Sequence, residues 1–160
     1  AGVAVGAGPF GSRARMSLRL EYVFGSCSRY YSPEYYPHEV GFARLCKMDK
    51  PFLHREAAMK AMAADPREAL VLLHLDEADV SASGADATGG EPVFFDGQGV
   101  GRVTSGAYGY SVGMSLAMGY VKAGTALPGD AVEVMVLGQA HRATVLHEPP
   151  FDPKGARLRM

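Results

Sequence analysis

After Pro66 the chain runs through about six short segments of apolar β-formers, at regular spacing and divided by glycine, aspartate and serine. They span residues 69–75, 92–95, 100–104, 116–121, 130–137 and 139–146. Segments 92–95 and 100–104 read as a hairpin turning on Asp96-Gly97, a pair that accepts the left-handed backbone of a tight turn. Segment 130–137 puts Val132, Val134 and Val136 on one face, and 139–146 returns after Gly138 with Ala143 and Val145. Strands of this number and length favour a small closed antiparallel barrel, because closure removes exposed edges.

Within this region, residues 99–121 read as strand, loop, strand. Val100 and Val103 lead in, Ser105, Gly106, Gly109 and Gly113 supply turn chemistry, and Leu116, Met118, Tyr120 and Val121 resume the extended run. Tyr108 and Tyr110 fall in the expected loop, 104–111. Each offers a flat apolar face and a polar tip, suited either to a partly aromatic ligand or to covering the barrel end.

Upstream the texture differs, and the boundary is expected near Asp65-Pro66, dividing the chain into 1–65 and 66–160. Gly6, Gly8 and Gly11 satisfy GxGxxG after Val3-Ala4-Val5, but the preceding strand is too short, Pro9 removes an N–H, and Glu21 arrives too early to bind a ribose. The stretch reads as a glycine-rich lead-in. Residues 12–24 predict an amphipathic helix capped by Ser12, with Ala14, Leu18 and Tyr22 at helical spacing. Arg19 and Glu21 are charges among Leu18, Leu20, Tyr22 and Val23, so they either pair locally or face a ligand with hydrogen-bond donors. Residues 27–49 suit an extended aromatic wrap, in which His38 and Glu39 are expected to be solvated. Residues 55–64 form the clearest helix, stopped before Pro66, and 81–90 reads as a small-residue loop.

A formal net charge of -1 with no concentrated basic patch argues against nucleic acid and anionic membrane surfaces as partners. No apolar run approaches a membrane span, and the first ten residues lack the pattern of a signal peptide, so a soluble intracellular protein is expected. Cys27 and Cys46 lack a CxxC partner and read as free thiols, and no metal site is expected. Gly109-Tyr110-Ser111-Val112-Gly113 matches GxSxG, with Asp130 and then His141 or His147 in hydrolase order. In a chain of 20 glycines with one convincing helix, that match is weak.

Three stretches together resemble the glycine-cleavage aminomethyltransferase (T-protein) superfamily, and within it the C-terminal region of dimethylglycine and sarcosine dehydrogenases. Ser17-Leu18-Arg19-Leu20-Glu21 is similar to S-L-R-x-E. Lys47-Met48-Asp49-Lys50, followed by Phe52-Leu53-His54-Arg55-Glu56-Ala57, resembles K-x-D-K…F-I-G-R-E-A. Residues 101–111, with Ser115-Leu116-Ala117 and Gly119-Tyr120-Val121 after them, are similar to G-x-x-T-S-G-x-Y-x-Y-S…S-L-A-x-x-Y-V, whose tyrosines favour the demethylating flavoenzymes.

The resemblance implies an α+β chain: a C-terminal antiparallel β-barrel preceded by the tail of a folate-binding domain. It implies tetrahydrofolate as cofactor, with Glu21 on the pterin, Arg55 supporting the folate region or a domain contact, and Tyr108 and Tyr110 closing the folate end. FAD and the catalytic aspartate would lie in earlier parts of the parent polypeptide or in a flavin-bearing subunit. No catalytic residue is therefore expected in these residues, and the chain is expected to be an inactive C-terminal fragment or subunit when alone. A non-catalytic module of the same architecture, as in the phosphatase regulatory subunit, and a plain T-protein remain alternatives. The location implied is the mitochondrial matrix for a eukaryotic source and the cytoplasm for a bacterial one. Two departures stand out: His54 occupies the family's glycine position, and Met114 a position commonly Lys or polar.

Overall fold

The computed structural model describes residues 4, 6–27 and 30–159, so Val3 and Val5 of the lead-in lie outside the described residues. Helices α1 (Ser12–Glu21) and α2 (Arg55–Met62) precede β1 (Glu68–Leu75). Helix α3 (Glu77–Ser83) follows, then β2 (Pro92–Phe95), β3 (Gln98–Gly109), β4 (Met114–Lys122), β5 (Ala131–Val136) and β6 (Gln139–Val145). The six strands close into a barrel in the order β1-β4-β3-β2-β5-β6, all neighbours antiparallel. Strand β1 pairs with β4 from Glu68↔Lys122 to Leu75↔Ser115, and closes on β6 from Leu73↔Val145 to Leu75↔Ala143.

The barrel interior is filled by β-branched and small residues, among them Val93, Val103, Val121, Val134 and Val145. Strands β5 and β6 alternate between buried and exposed residues because only one of their faces meets the core. Strands β1 and β4 are buried on both faces, which is why they read as near-continuous apolar runs. Their outward side chains, Leu72, Leu116, Met118 and Tyr120, form a second core with Leu20 of α1 and with Tyr30 and Val40 of the wrap. Tyr120 donates to the carbonyl of Tyr30 at 2.7 Å and stacks on Tyr35 at 4.2 Å. Burial pushes its hydroxyl pKa up.

Four expectations need correction. Gly11, not Ser12, is the N-cap of α1, and the helix leaves at Tyr22 because Val23 takes a left-handed φ of 57°. Part of the expected loop 81–90 belongs to α3, which Asp76 caps by accepting from Ala78 N–H at 2.8 Å and Gly84 ends at φ 66°. The expected loop 104–111 is mostly strand: β3 continues to Gly109 and the turn is confined to residues 110–113. Its glycines serve packing, since a Cβ at Gly106 would press into the carbonyl of Ala87.

The fourth correction concerns Glu39, which is buried. Its carboxylate accepts from the backbone N–H of Tyr36 and Arg67 at 2.9 Å each. It also accepts from Arg67 Nε at 3.0 Å and from the terminal guanidinium nitrogen at 2.9 Å. The N–H of Leu70 donates to its backbone carbonyl, so one residue fastens the wrap to the start of β1.

The Arg67 guanidinium, opposed by burial and assisted by the two backbone N–H groups, holds the Glu39 carboxyl well below the usual carboxylate range, at about 2. A depressed folded pKa contributes stability that is complete above the unfolded value and is lost as pH falls toward the folded one. Glu39→Gln should therefore cost roughly 1–2 kcal/mol at neutral pH, since solvent around the exposed Arg67 screens the pair. The cost should shrink between pH 4.5 and about 2, as read by urea melts across that window.

His54 precedes α2 with φ 61° and ψ 24°, the left-handed conformation that glycine adopts without strain. The backbone retains what the family's glycine suits, at a cost in this chain. His54→Gly should raise stability by about 1 kcal/mol, seen as a higher denaturation midpoint with an unchanged slope.

Candidate functional site

Helix α1 lies against the end of β3, and one contact sets its register: Ser17 Oγ donates to the carbonyl of Tyr108 at 2.6 Å. One turn later on the same helix face comes Glu21, which is 1% exposed. Its Oε1 accepts the N–H of Ser111 at 2.8 Å. Its Oε2 is buried and has no hydrogen-bond partner. A buried carboxylate oxygen left bare costs about 1–3 kcal/mol or more, so the site is incomplete without a donor. Gly109 makes room for this arrangement, since a Cβ there would sit 3.1 Å from Glu21 Cγ.

Around Glu21 is a cavity of about 360 Å³ lined by Arg13, Ser17, Asp86, Ala107, Tyr108, Tyr110 and Ser111 among others. The Tyr108 and Tyr110 rings meet edge to face, 5.1 Å apart at 73°. Tyr110 is 82% exposed, so its ring lies open to solvent at the cavity. The arrangement can accept hydrogen bonds from a flat, donor-bearing ring while presenting aromatic surface beside it.

The structure thus brings Glu21, Tyr108 and Tyr110 together. Arg55 stands apart from them, its Nε donating to the carbonyl of Met48 at 2.8 Å, in a different surface depression with Pro51, Phe52 and His54. Arg19 is engaged elsewhere, donating to Ser105 Oγ at 2.6 Å, to the carbonyl of Phe24 at 2.9 Å and to Tyr30 at 3.2 Å. Ser17 and Asp86 are site residues that the sequence did not single out. Ser17 stands in the quoted S-L-R-x-E stretch and was readable there, whereas nothing local marks Asp86.

A larger groove of about 600 Å³ runs along α2 between Tyr36, Met48, Leu53 and Met62. It is mainly apolar, and none of the unpartnered buried polar atoms lines it. The converging polar groups are at Glu21.

The GxSxG pattern assembles no triad among the described residues. Neither ring nitrogen of the buried His141 has a partner, Asp130 accepts from Leu127 N–H, and Ser111 serves Glu21 through its backbone. No helix among the described residues is long and apolar enough to cross a membrane.

Residues 69–152 match the glycine cleavage T-protein C-terminal barrel domain family. Over 162 residues, covering 100% of the chain, it is 34% identical to a mitochondrial dimethylglycine dehydrogenase of Mus musculus, and spans 18% of that relative. It is 32% identical to a probable aminomethyltransferase of Haloarcula marismortui over 147 residues, covering 90% of this chain and 39% of the relative. The crystal structure of glycine cleavage system aminomethyltransferase T from Bartonella henselae superposes with a TM-score of 0.74. That match covers 88% of this chain and 38% of the other at 24% identity, a likeness of fold.

Ser111 should not react with a fluorophosphonate probe, because among the described residues neither ring nitrogen of His141 has a partner and Ser111 is engaged through its backbone N–H. Intact-mass spectrometry should show no adduct after prolonged incubation, and a stoichiometric adduct at Ser111 would restore the hydrolase reading.

Proposed function

Because this chain belongs to the glycine cleavage T-protein C-terminal barrel family, we propose that its Glu21 cavity holds the pterin ring of tetrahydrofolate in an N-demethylating flavoenzyme of the dimethylglycine or sarcosine dehydrogenase type. The observation that carries this reading is the bare, buried Oε2 of Glu21. A carboxylate accepts two parallel N–H bonds, and the 2-amino-pyrimidinone edge of a pterin presents two. The lining fits such a ring: an acceptor on α1, tyrosines at the end of β3 and in the following turn, and a volume in the range of small-molecule sites.

Tetrahydrofolate, when bound, supplies the nitrogen that accepts a one-carbon unit. The chain's own residues bind and orient it. Ser111 N–H fixes the plane of the Glu21 carboxylate, and Ser17 ties α1 to Tyr108. Tyr110, at the cavity and open to solvent, would cover the ring and exclude water. Residues 1–65 would be the tail of the folate-binding domain and 66–160 the barrel domain. The FAD and the proton-abstracting group would belong to the rest of the longer polypeptide or to a flavin-bearing subunit. Arg55 would act at a distance from the ring, on the folate region or a domain contact. An aminomethyltransferase parent is the second reading, supported by the alignment with such an enzyme over 90% of the chain.

The test is calorimetric titration with tetrahydrofolate under anaerobic conditions, on this chain and on the full-length protein. Glu21→Gln should weaken binding about 10- to 100-fold, the worth of charge-assisted hydrogen bonds of ~1.5–3 kcal/mol. No heat from the unaltered full-length protein would point instead to a regulatory module without folate.

A further inference from the structure

The cavity holds a second carboxylate that the folate reading leaves unused. Asp86, in the loop between α3 and β2, lines it opposite in sequence origin to Glu21 of α1. Asp86 Oδ1 accepts from Ser115 Oγ at 2.6 Å, and Ser115 is itself held by its N–H donating to Glu77 at 2.7 Å. Among the described residues, no hydrogen bond uses Asp86 Oδ2. Tyr108 links the two carboxylates: its carbonyl accepts from Ser17, one turn before Glu21, and its cross-strand partner is Ser115. Asp86 is therefore placed by two strands and a side-chain relay rather than left as a loop charge.

We propose that Asp86 is a specificity-determining residue of the Glu21 cavity, a second acceptor that selects the reduced oxidation state of the pterin. The inference rests on the folate reading above. A tetrahydropterin carries N–H donors on its saturated ring, where an oxidised pterin carries acceptor nitrogens with lone pairs. A carboxylate facing that ring accepts from the first and repels the second. A site built to accept from a ligand N–H rejects an analogue lacking it far more strongly than an apolar pocket does, because its own buried polar group is left unpaired. With Glu21 on the pyrimidinone edge and Asp86 on the saturated ring, the two carboxylates of the lining would read different features of one ligand. Arg13, the cation in the lining, forms no ion pair with either carboxylate among the described residues, so both stay open to the ligand's donors.

The experiment compares tetrahydrofolate with folic acid, anaerobically, by calorimetry on the unaltered protein and on Asp86→Asn, Ser115→Ala and Glu21→Gln. The unaltered protein should bind tetrahydrofolate at least about 10-fold more tightly than folic acid. Asp86→Asn, whose amide offers both donor and acceptor, should bring that ratio close to one, chiefly by losing tetrahydrofolate. Ser115→Ala, which frees Asp86 without removing it, should lower the ratio part of the way. Glu21→Gln should weaken both ligands alike and leave the ratio standing. Thermal melts report whether each variant is folded, and if Asp86→Asn is not, Ser115→Ala carries the test alone. A ratio unchanged in the folded variant, with tetrahydrofolate still bound by the unaltered protein, overturns the role of Asp86 and leaves the folate reading intact. If the unaltered protein binds neither ligand, both fall together.

Discussion

Three residue pairs between β1 and β6 close the barrel, and most of the remaining architecture follows from the strand that makes them. Strand β1 is hydrogen-bonded to β4 on one side and β6 on the other, with its odd-numbered side chains inside. Its other face, and that of β4, would lie open if nothing covered them. The cover is α1 and the aromatic wrap, which explains why the upstream segment is rich in tyrosine yet poor in regular structure. The Glu39 carboxylate then fastens that wrap at the point where β1 begins. Covering β4 with α1 also brings Glu21 to the end of the β3–β4 hairpin, so the candidate site is a by-product of burying the barrel's outer face.

Two charges on α1, two positions apart, show how a structural role differs from a binding one. Arg19 is engaged by protein partners at all three guanidinium nitrogens: the sulfur of Met16, a carbonyl, and two hydroxyls. Glu21 is more deeply buried than the half-buried Arg19 and is only half satisfied. Burial makes a charged group demanding of partners, and among the described residues Glu21 Oε2 is buried without one.

What could be read in advance depended on whether a residue's neighbours were local. Strands β5 and β6 were legible because burial on one face writes an alternating pattern into the chain, and the β2–β3 hairpin because Asp96-Gly97 sets its own turn. Glu21 was legible because a carboxylate among leucines and a tyrosine demands an explanation. Gly106 misled because glycine signals both a turn and a close approach, and here the approaching group is a carbonyl far along the chain. Helix α3 was hidden by its small residues and short length, although Asp76 before it and Gly84 after it were ordinary helix boundaries. Glu39 and Asp86 could not be read, since their partners, Arg67 and Ser115, are distant in sequence and adjacent only once the barrel has closed.

Closure has one more consequence, for how this unit joins anything else. Among the described residues every strand of the ring is paired on both sides, so the barrel lacks the free edge strand that strand addition uses. That favours attachment through side chains. The candidate surfaces are outside the ring, such as α2, none of whose residues is buried, and the neighbouring Leu53. Side-chain surfaces recognise by shape and chemistry rather than by the generic hydrogen-bonding pattern that every polypeptide shares. The barrel is thus a unit that can be carried in chains of different length without becoming indiscriminately adhesive.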